Sequence, residues 1–330
     1  MKDSTKVALQ LCSVLSAVLI LGGPLRNVHA QTDTGYPSKP IRFVVPFAGT
    51  VESLARSIGD HITSTTGQPV LIEQRPGAGG NVAAQYVAKQ APDGYQVLFT
   101  TNTTHAANPA IYPSLPYDPV KDFAPVTAVA KGALLYIGST SMPETLREVL
   151  ALAKQKPNAL SFGWAGSSGR AAFEILNLTA NIQLRNVPYK SSPQALADIL
   201  GGHIDLLAYP DISASLQLAQ NGKLRVFGVS TSERLEIAPD VPTVREQGFP
   251  GFEMVYWVAT YAPTGTPAAV VMRLNSLINT AMRTERLRVL VRSAGLITYA
   301  TTPEELAKFQ ADETAKWRRI VTAAGMQEKL

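Results

Sequence analysis

Short β-rich runs alternate with helical patterns along this chain, and this alternation constrains its fold more than any other feature. The run over residues 41–47 is followed by Leu54, Ile58 and Ile62 at helical spacing. The same order of strand and helix returns over residues 146–229. Strands that alternate with helices predict parallel sheets, so we expect an α/β protein with two doubly wound, mostly parallel sheets.

The two predicted sheets are expected to lie in separate lobes. A chain of 330 residues with 45% hydrophobic content exceeds the size of one compact core. We predict one lobe from residues 37–130 plus 255–330 and a second from residues 131–254, since an apolar run over 256–263 returns the chain to the first sheet. Two crossing segments make a hinge. Ligands of open α/β sheets bind beyond the carboxyl ends of strands, so the cleft between the lobes is the expected site.

Two helix-start signals mark the C-terminal part of the chain. Thr266 followed by Pro267 is interpreted as an N-cap with proline at the first helical position. Thr302 with Glu305 three residues later predicts a capping box at the start of the last helix.

The first thirty residues have the pattern of a cleaved signal peptide. Lys2 and Lys6 precede an uncharged apolar run over residues 7–21, which is too short to span a bilayer, and a small-x-small cleavage pattern follows. We therefore expect a mature protein that begins at Gln31 and lies outside the cytoplasm. The only cysteine, Cys12, lies in this segment, so the mature chain is expected to fold without a disulfide.

Composition argues against nucleic acid, metal and cofactor partners. The formal charge of +5 falls to +3 without the first thirty residues, and the basic residues are spread singly. His61, His105 and His203 are far apart in sequence and none forms a pair at ligand spacing, so no metal is expected. The glycine turn at 77–80 lacks the dinucleotide and Walker patterns, so we expect no cofactor.

A secreted serine hydrolase is the alternative that would make this chain an enzyme. Ser167 or Ser168 would be the nucleophile, and His105 or His203 the base. The surrounding segment lacks the Gly-x-Ser-x-Gly pattern, so we expect a protein that is not an enzyme.

Three loops rich in small polar residues follow predicted strands at the expected cleft. Each loop taken singly is explained as the cap of its own helix. Together they predict an anion site, because backbone N–H groups and hydroxyls solvate a carboxylate without a buried counter-charge. The candidate ligand-binding residues in and around these loops are Phe47, Ala48, Gly49, Thr50, Thr101, Thr103, His105, Gly166, Ser167, Ser168, Arg170, Tyr189, Tyr209 and Asp211.

Asp211 and Arg170 each have two interpretations. Asp211 follows Tyr209 at the end of a predicted strand, and it either pairs with a ligand ammonium or caps the helix that begins near residue 213. Arg170 stands at the predicted start of a helix, where a positive charge opposes the helix dipole and costs stability unless a nearby anion offsets it. It either holds a second carboxylate and favours diacids, or it is solvated or paired with Glu174.

Nine short motifs carry, in combination, a resemblance to a known family. They occupy residues 45–47, 73–81, 91–95, 108–112, 115–126, 187–190, 200–205, 238–243 and 262–267. On these motifs the chain resembles the Bug-type extracytoplasmic solute receptors, the binding components of tripartite tricarboxylate transporters. The resemblance covers nearly the whole chain after the predicted signal peptide.

The resemblance implies the two-lobed periplasmic-binding-protein fold, which closes on a small carboxylate held partly by the loop after the first strand. The implied ligand is a di- or tricarboxylate, an acidic amino acid or a related organic acid. The implied partners are the membrane permease subunits, and the receptor is expected to be a monomer. Sensing for a membrane kinase is an alternative role.

Three departures from the family pattern fall at the predicted cleft. The loop after Phe47 and the loop at 162–170 are each about two residues shorter than usual, and Glu52 lies near a usual Asp position. Arg170 stands where the family commonly has His. Residues 208–211 replace a frequent Phe-Asp-Asn. The ligand's identity therefore does not transfer from the family, and an orphan receptor is a further alternative.

Overall fold

A computed structural model describes residues 35–328, and the predicted signal peptide lies outside these described residues. The strands are β1 Ile41–Val45, β2 Val70–Gln74, β3 Gln96–Thr101, β4 Phe123–Gly132, β5 Leu135–Gly138, β6 Ser161–Trp164, β7 Arg185–Pro188, β8 Leu206–Tyr209, β9 Arg225–Val229, β10 Tyr256–Pro263 and β11 Leu296–Thr298. The α-helices are α1 Thr50–Thr66, α2 Asn81–Ala88, α3 Asn108–Ile111, α4 Leu146–Gln155, α5 Ser167–Ala180, α6 Ser192–Leu200, α7 Ile212–Gln220, α8 Ala268–Met282, α9 Glu285–Ser293 and α10 Pro303–Ala323. A π-helical segment, Thr103–Ala107, connects β3 to α3.

The first sheet has six strands in the order β11-β4-β10-β3-β1-β2. Strand β1 pairs in parallel with β2 and β3, whereas β10 is antiparallel to both β3 and β4. Val258 of β10 lies opposite Thr101 on one side and Ala130 on the other. The centre of this sheet is therefore completed by a strand that follows β4 by more than a hundred residues.

The second sheet has five strands in the order β7-β6-β8-β5-β9, all of which come between β4 and β10 in the chain. Strand β6 is parallel to β7 and β8, and β5 is antiparallel to β8 and β9. The predicted fold class is confirmed. The sheets are mixed because β5, β10 and β11 run against their neighbours. Each sheet with its helices is called a lobe below.

Helix α1 illustrates how the sequence pattern becomes structure. Leu54, Ile58 and Ile62 are fully buried on one face, as their spacing predicts. The helix ends at Gly67, whose left-handed φ of 72° lets its N–H donate to the Thr63 carbonyl at 2.9 Å.

The core is continuous through one face of the second sheet. Tyr136 of β5 packs in the larger hydrophobic cluster, which also fills the first lobe, whereas its neighbours Leu135 and Ile137 belong to a smaller cluster on the opposite face. This alternation is what the pleat of a strand requires when both faces are covered. Across residues 35–328, no helix combines the length and apolar character needed to cross a bilayer.

The two C-terminal helix-start predictions have different outcomes. The capping box is confirmed, since Thr302 Oγ1 accepts the Glu305 N–H at 3.1 Å and the Glu305 carboxylate accepts the Thr302 N–H at 2.8 Å. The N-cap prediction at Thr266 is wrong. Pro267 is the N-cap of α8, and the Thr266 hydroxyl donates to the Pro263 carbonyl at 2.7 Å, inside the preceding turn.

Candidate functional site

A cavity lies where the strand ends of the two sheets face each other. Its walls are the segments that follow β1, β3, β6, β7 and β8, all at the carboxyl ends of these strands. Leu134 and Tyr256 also line it, because they stand at the beginnings of the antiparallel strands β5 and β10 and so reach the same edge. This is the position at which α/β proteins bind ligands.

Ten of the fourteen predicted site residues line this cavity: Phe47, Ala48, Gly49, Thr50, Thr101, Thr103, Gly166, Ser168, Tyr209 and Asp211. The other four are outside the lining: His105, Ser167, Arg170 and Tyr189. The lining residues that sequence reasoning missed are Val51, Leu134, Ala165, Gly169, Lys190, Ser191, Ser192, Pro193, Leu207, Ala208, Pro210 and Tyr256. The small polar segment 190–192 lies between a strand and a helix like the three predicted loops, so the same signal was available there. Contact of any of these residues with a ligand stays a prediction.

Three helices begin at the cavity without a side-chain cap. The N-cap residues are Gly49 for α1, Gly166 for α5 and Ser191 for α6. The first-turn N–H groups of a helix have no acceptor inside the helix and carry its partial positive charge. Gly49 has φ 83° and ψ −133°, a conformation that residues with a Cβ rarely adopt. Uncapped N–H donors from both lobes therefore face one cavity.

Helix α7 also begins at the cavity, but Asp211 caps it. Its Oδ1 accepts the Ala214 N–H at 3.1 Å, so the N-cap interpretation is confirmed. The same side chain lines the cavity, so capping does not remove it from the candidate site. Burial and the nearby Asp211 charge raise the pKa of Tyr209 to about 12, above its ordinary value of 10.

Hydroxyl groups add donors to the cavity wall. Thr103 is only 3% exposed, and its hydroxyl has no hydrogen-bond partner among residues 35–328. It begins the π-helical segment, a rare geometry that occurs frequently at functional sites. Its N–H donates to Thr101 Oγ1 at 3.2 Å, which holds the turn after β3.

A serine pair joins the two lobes beside the cavity. Asn102 Nδ2 donates to Ser168 Oγ at 2.8 Å, and Ser167 Oγ donates to Asn108 Oδ1 at 3.1 Å. Both serines lie in the first turn of α5 in the second lobe, and both asparagines belong to the first lobe. In the described part of the chain neither serine is bonded to a histidine, so the nucleophile–base pair of the hydrolase alternative is not formed.

His105 is a core residue of the first lobe. Its ring is fully buried and stacks on Tyr261 with 3.8 Å between centroids, and its Nδ1 lies 2.9 Å from Thr104 Oγ1. Burial lowers the pKa of His105 to about 3, so the imidazole is neutral. Tyr189 is likewise engaged elsewhere, since its hydroxyl donates to Asp198 Oδ2 at 2.7 Å.

Arg170 is not at the start of its helix, so that prediction is wrong. Helix α5 begins at Ser167, and the Arg170 N–H donates to the Gly166 carbonyl at 3.2 Å. The guanidinium carbon lies 5.4 Å from the ring centroid of Trp164. The predicted pairing with Glu174 is also wrong: that carboxylate accepts a hydrogen bond from Asn177 at 3.0 Å, and no described carboxylate forms an ion pair with Arg170.

Charged side chains are scarce in the cavity wall. Glu52, near the family's usual Asp position, is turned to Arg56 and Gln74, and its carboxylate accepts the Arg56 Nε–H at 2.8 Å. Lys190 and Asp211 are the charged residues among those that line the cavity. Within residues 35–328, no three His, Cys, Asp or Glu side chains are grouped so that they can hold a metal ion.

Two α/β lobes with a cavity between their strand ends define the class of two-lobed periplasmic solute-binding proteins. The family model for the tripartite tricarboxylate transporter family receptor matches residues 54–326. Protein BugT of Bordetella pertussis is 30% identical over 326 residues, which are 97% of this chain and 99% of BugT. The chain belongs to this receptor family.

Solved structures agree with this assignment. R. palustris Rpa4515 with adipate is 31% identical, with a TM-score of 0.84 over 88% of this chain and 98% of that one. MatC (Rpa3494) from Rhodopseudomonas palustris with bound malate is also 31% identical, with a TM-score of 0.81 over 87% of this chain and 100% of that one.

Proposed function

We propose that this receptor captures a small carboxylic acid in the periplasm and delivers it to the membrane permease subunits of a tripartite tricarboxylate-type transporter. The observation that carries the proposal is the convergence of three uncapped helix N-termini, from both lobes, on one cavity. Two similar proteins were solved with adipate and with malate, which supports a carboxylate as the ligand.

The geometry supports a capture mechanism based on lobe closure. One carboxylate would accept hydrogen bonds from the N–H groups of Thr50 and Val51 at the start of α1 and from the Thr103 hydroxyl of the same lobe. The α5 start and the Ser168 hydroxyl approach it from across the cavity. A ligand that touches both lobes binds the closed form more tightly than the open one, and so shifts the population toward closure. The closed form is then the state that the permease recognises.

The remaining parts of the proposal concern maturation and lobe limits. We propose secretion through a signal peptide cleaved after residue 30, which N-terminal sequencing of exported protein tests directly. Lobe limits of 37–130 plus 255–330 and of 131–254 are supported by the strand assignments, apart from the last two residues of β4. The receptor is proposed to be a monomer.

For the signal peptide, the contrary result of N-terminal sequencing is exported protein that still begins at Met1.

The binding experiment starts from protein that has been unfolded, dialysed and refolded to remove any acquired ligand. Thermal shifts and calorimetry are measured against mono-, di- and tricarboxylates, aromatic acids and amino acids. At about 100 times the dissociation constant, an acid that binds only the folded state adds roughly 2.7 kcal/mol to the free energy of unfolding. No shift with any acid would overturn the proposal.

Gly49→Ala and Gly67→Ala form a matched pair for the same assay. Both glycines have positive φ, 83° and 72°. Gly49 is the N-cap of helix α1 and Gly67 is its C-cap, and a Cβ at either position meets no atom within 4 Å. Backbone strain is expected to cost about 1–2 kcal/mol in Gly67→Ala, whose position is left-handed, and up to about 3 kcal/mol in Gly49→Ala, whose ψ of −133° lies in a region that glycine alone adopts readily. Only Gly49→Ala distorts the N-terminus at the cavity, so only it is expected to weaken acid binding. Equal affinity in both variants would remove the α1 N-terminus from the site.

A further inference from the structure

The cavity wall carries one negative charge that the protein leaves without a counter-charge. Asp211 uses Oδ1 to cap α7, at 3.1 Å from the Ala214 nitrogen. Its Oδ2 has no donor within residues 35–328, and no lysine or arginine of that range lies within 4 Å of the carboxylate. The side chain is partly buried at the carboxyl end of β8 and lines the cavity.

The surroundings make this free oxygen a recognition feature. Lys190, the other charged residue of the wall, is exposed and forms no ion pair in the described part of the chain. The Tyr209 side chain is 7% exposed, lines the same wall, and its hydroxyl has no partner among the described residues. When closure removes water from the cavity, the free oxygen of Asp211 needs a hydrogen-bond donor to replace its hydration, and a cationic donor also neutralises its charge.

The chemistry that satisfies Asp211 is an ammonium group. A ligand carboxylate directed at Asp211 would be repelled, since like charges brought together in a desolvated site disfavour binding. An ammonium group would instead form a charge-assisted hydrogen bond with Oδ2, with the Tyr209 hydroxyl beside it. The ligand's carboxylate remains for the uncapped helix N-termini, and Lys190 is available to a second carboxylate.

We propose that the solute of this receptor carries an ammonium group in addition to its carboxylate, that is, an amino acid, and that Asp211 is the residue that selects it. This inference rests on the proposed function, since it assumes that the cavity binds a carboxylic acid. Asp211 then has two roles: Oδ1 caps the start of α7, and Oδ2 accepts a hydrogen bond from the ammonium group of the ligand.

The two roles can be separated by substitution. Asparagine and serine are N-cap residues about as good as aspartate, so Asp211→Asn and Asp211→Ser retain a cap for α7 and remove the charge. Asp240→Asn is the matched control, because Asp240 is exposed, belongs to the second lobe and does not line the cavity. Melting temperatures of all variants show whether the fold is intact.

Calorimetry on ligand-free protein compares acids that differ only in the amino group: succinate with aspartate, and glutarate with glutamate. We expect wild type and Asp240→Asn to bind an amino acid more tightly than its matched diacid. Asp211→Asn and Asp211→Ser should weaken amino acid binding by about tenfold or more, as loss of a charge-assisted contact predicts, and leave the diacid unchanged or tighter.

The outcomes distinguish this inference from the proposed function. Binding of diacids without amino acids in wild type would overturn the role of Asp211 and leave carboxylate capture standing. Amino acid affinity that is the same in wild type, Asp211→Asn and Asp211→Ser would do the same. Failure of every acid to bind refolded, correctly melting wild type would overturn carboxylate capture itself.

Discussion

Acid is expected to destabilise this protein through His105, whose side chain is fully buried in the first lobe. The imidazole is fully buried against Tyr261, and burial lowers its pKa from 6.5 to about 3. In the unfolded chain the ring titrates at its ordinary value. Between about pH 6.5 and pH 3, therefore, the unfolded state binds a proton that the folded state does not, and the free energy of unfolding falls as the pH falls.

The size of the effect follows from the width of that window. One pKa unit corresponds to about 1.4 kcal/mol, so His105 alone should remove roughly 2 kcal/mol from the free energy of unfolding between pH 7.5 and pH 5. Domains of ordinary stability have about 5–15 kcal/mol in total, so a loss of this size is measurable.

His105→Phe isolates this contribution. Phenylalanine keeps an aromatic ring against Tyr261, and the Thr104 hydroxyl retains its 2.8 Å hydrogen bond with Thr100. Urea unfolding at pH 7.5 and pH 5 should show wild type losing about 2 kcal/mol more than the variant, since all other groups titrate alike in both. His203→Gln, at an exposed position, is the control and should follow wild type. An identical pH response in wild type and His105→Phe would refute the reasoning.

A buried carboxylate, a helix cap and the serine pair each provide a further test. Burial raises the pKa of Glu313, so the stability it contributes is lost as the pH rises through that pKa. The melting temperature of Glu313→Gln should therefore rise relative to that of wild type between pH 4 and pH 8. A difference in melting temperature that stays constant over this range would contradict the prediction. Thr302→Ala should lose about 0.5–2 kcal/mol in urea unfolding, whereas Thr322→Ala near the end of the same helix should lose much less. Ser168→Ala leaves a buried Asn102 amide without its acceptor and should cost about 1–3 kcal/mol in the same assay; a neutral effect would mean that the contact between the lobes is not formed in solution.

The alternation of strand and helix patterns was sufficient to predict the two α/β sheets. The helices can be recognised in the sequence because burial of one face imposes the spacing seen at Leu54, Ile58 and Ile62. Local signals were less reliable where two neighbouring residues compete for one role. Thr266 has the residue type of an N-cap, yet its hydroxyl satisfies a turn carbonyl, and the extended backbone of Pro267 begins the helix instead.

The candidate site was predictable where it is built from loops that follow strands, since such loops meet at one edge of a sheet. Tyr256 and Leu134 were missed because they reach that edge only through antiparallel pairing, which no local pattern reveals. His105 was predicted to lie in the site because it belongs to the same short segment as Thr103. The π-helical turn directs the Thr103 side chain to the cavity and buries the His105 side chain in the core.

The position of β10 has a consequence for incomplete chains. Val258 pairs with Thr101 and Ala130, so β3 and β4 are joined only through a strand that arrives after the whole second sheet. A chain that ends before Tyr256 would retain every strand of the second sheet while leaving two open strand edges in the middle of the first. Unpaired edges are templates for association between chains. Truncated products of this receptor should therefore aggregate through the first lobe, and contacts of high sequence separation should make that lobe the slower one to fold.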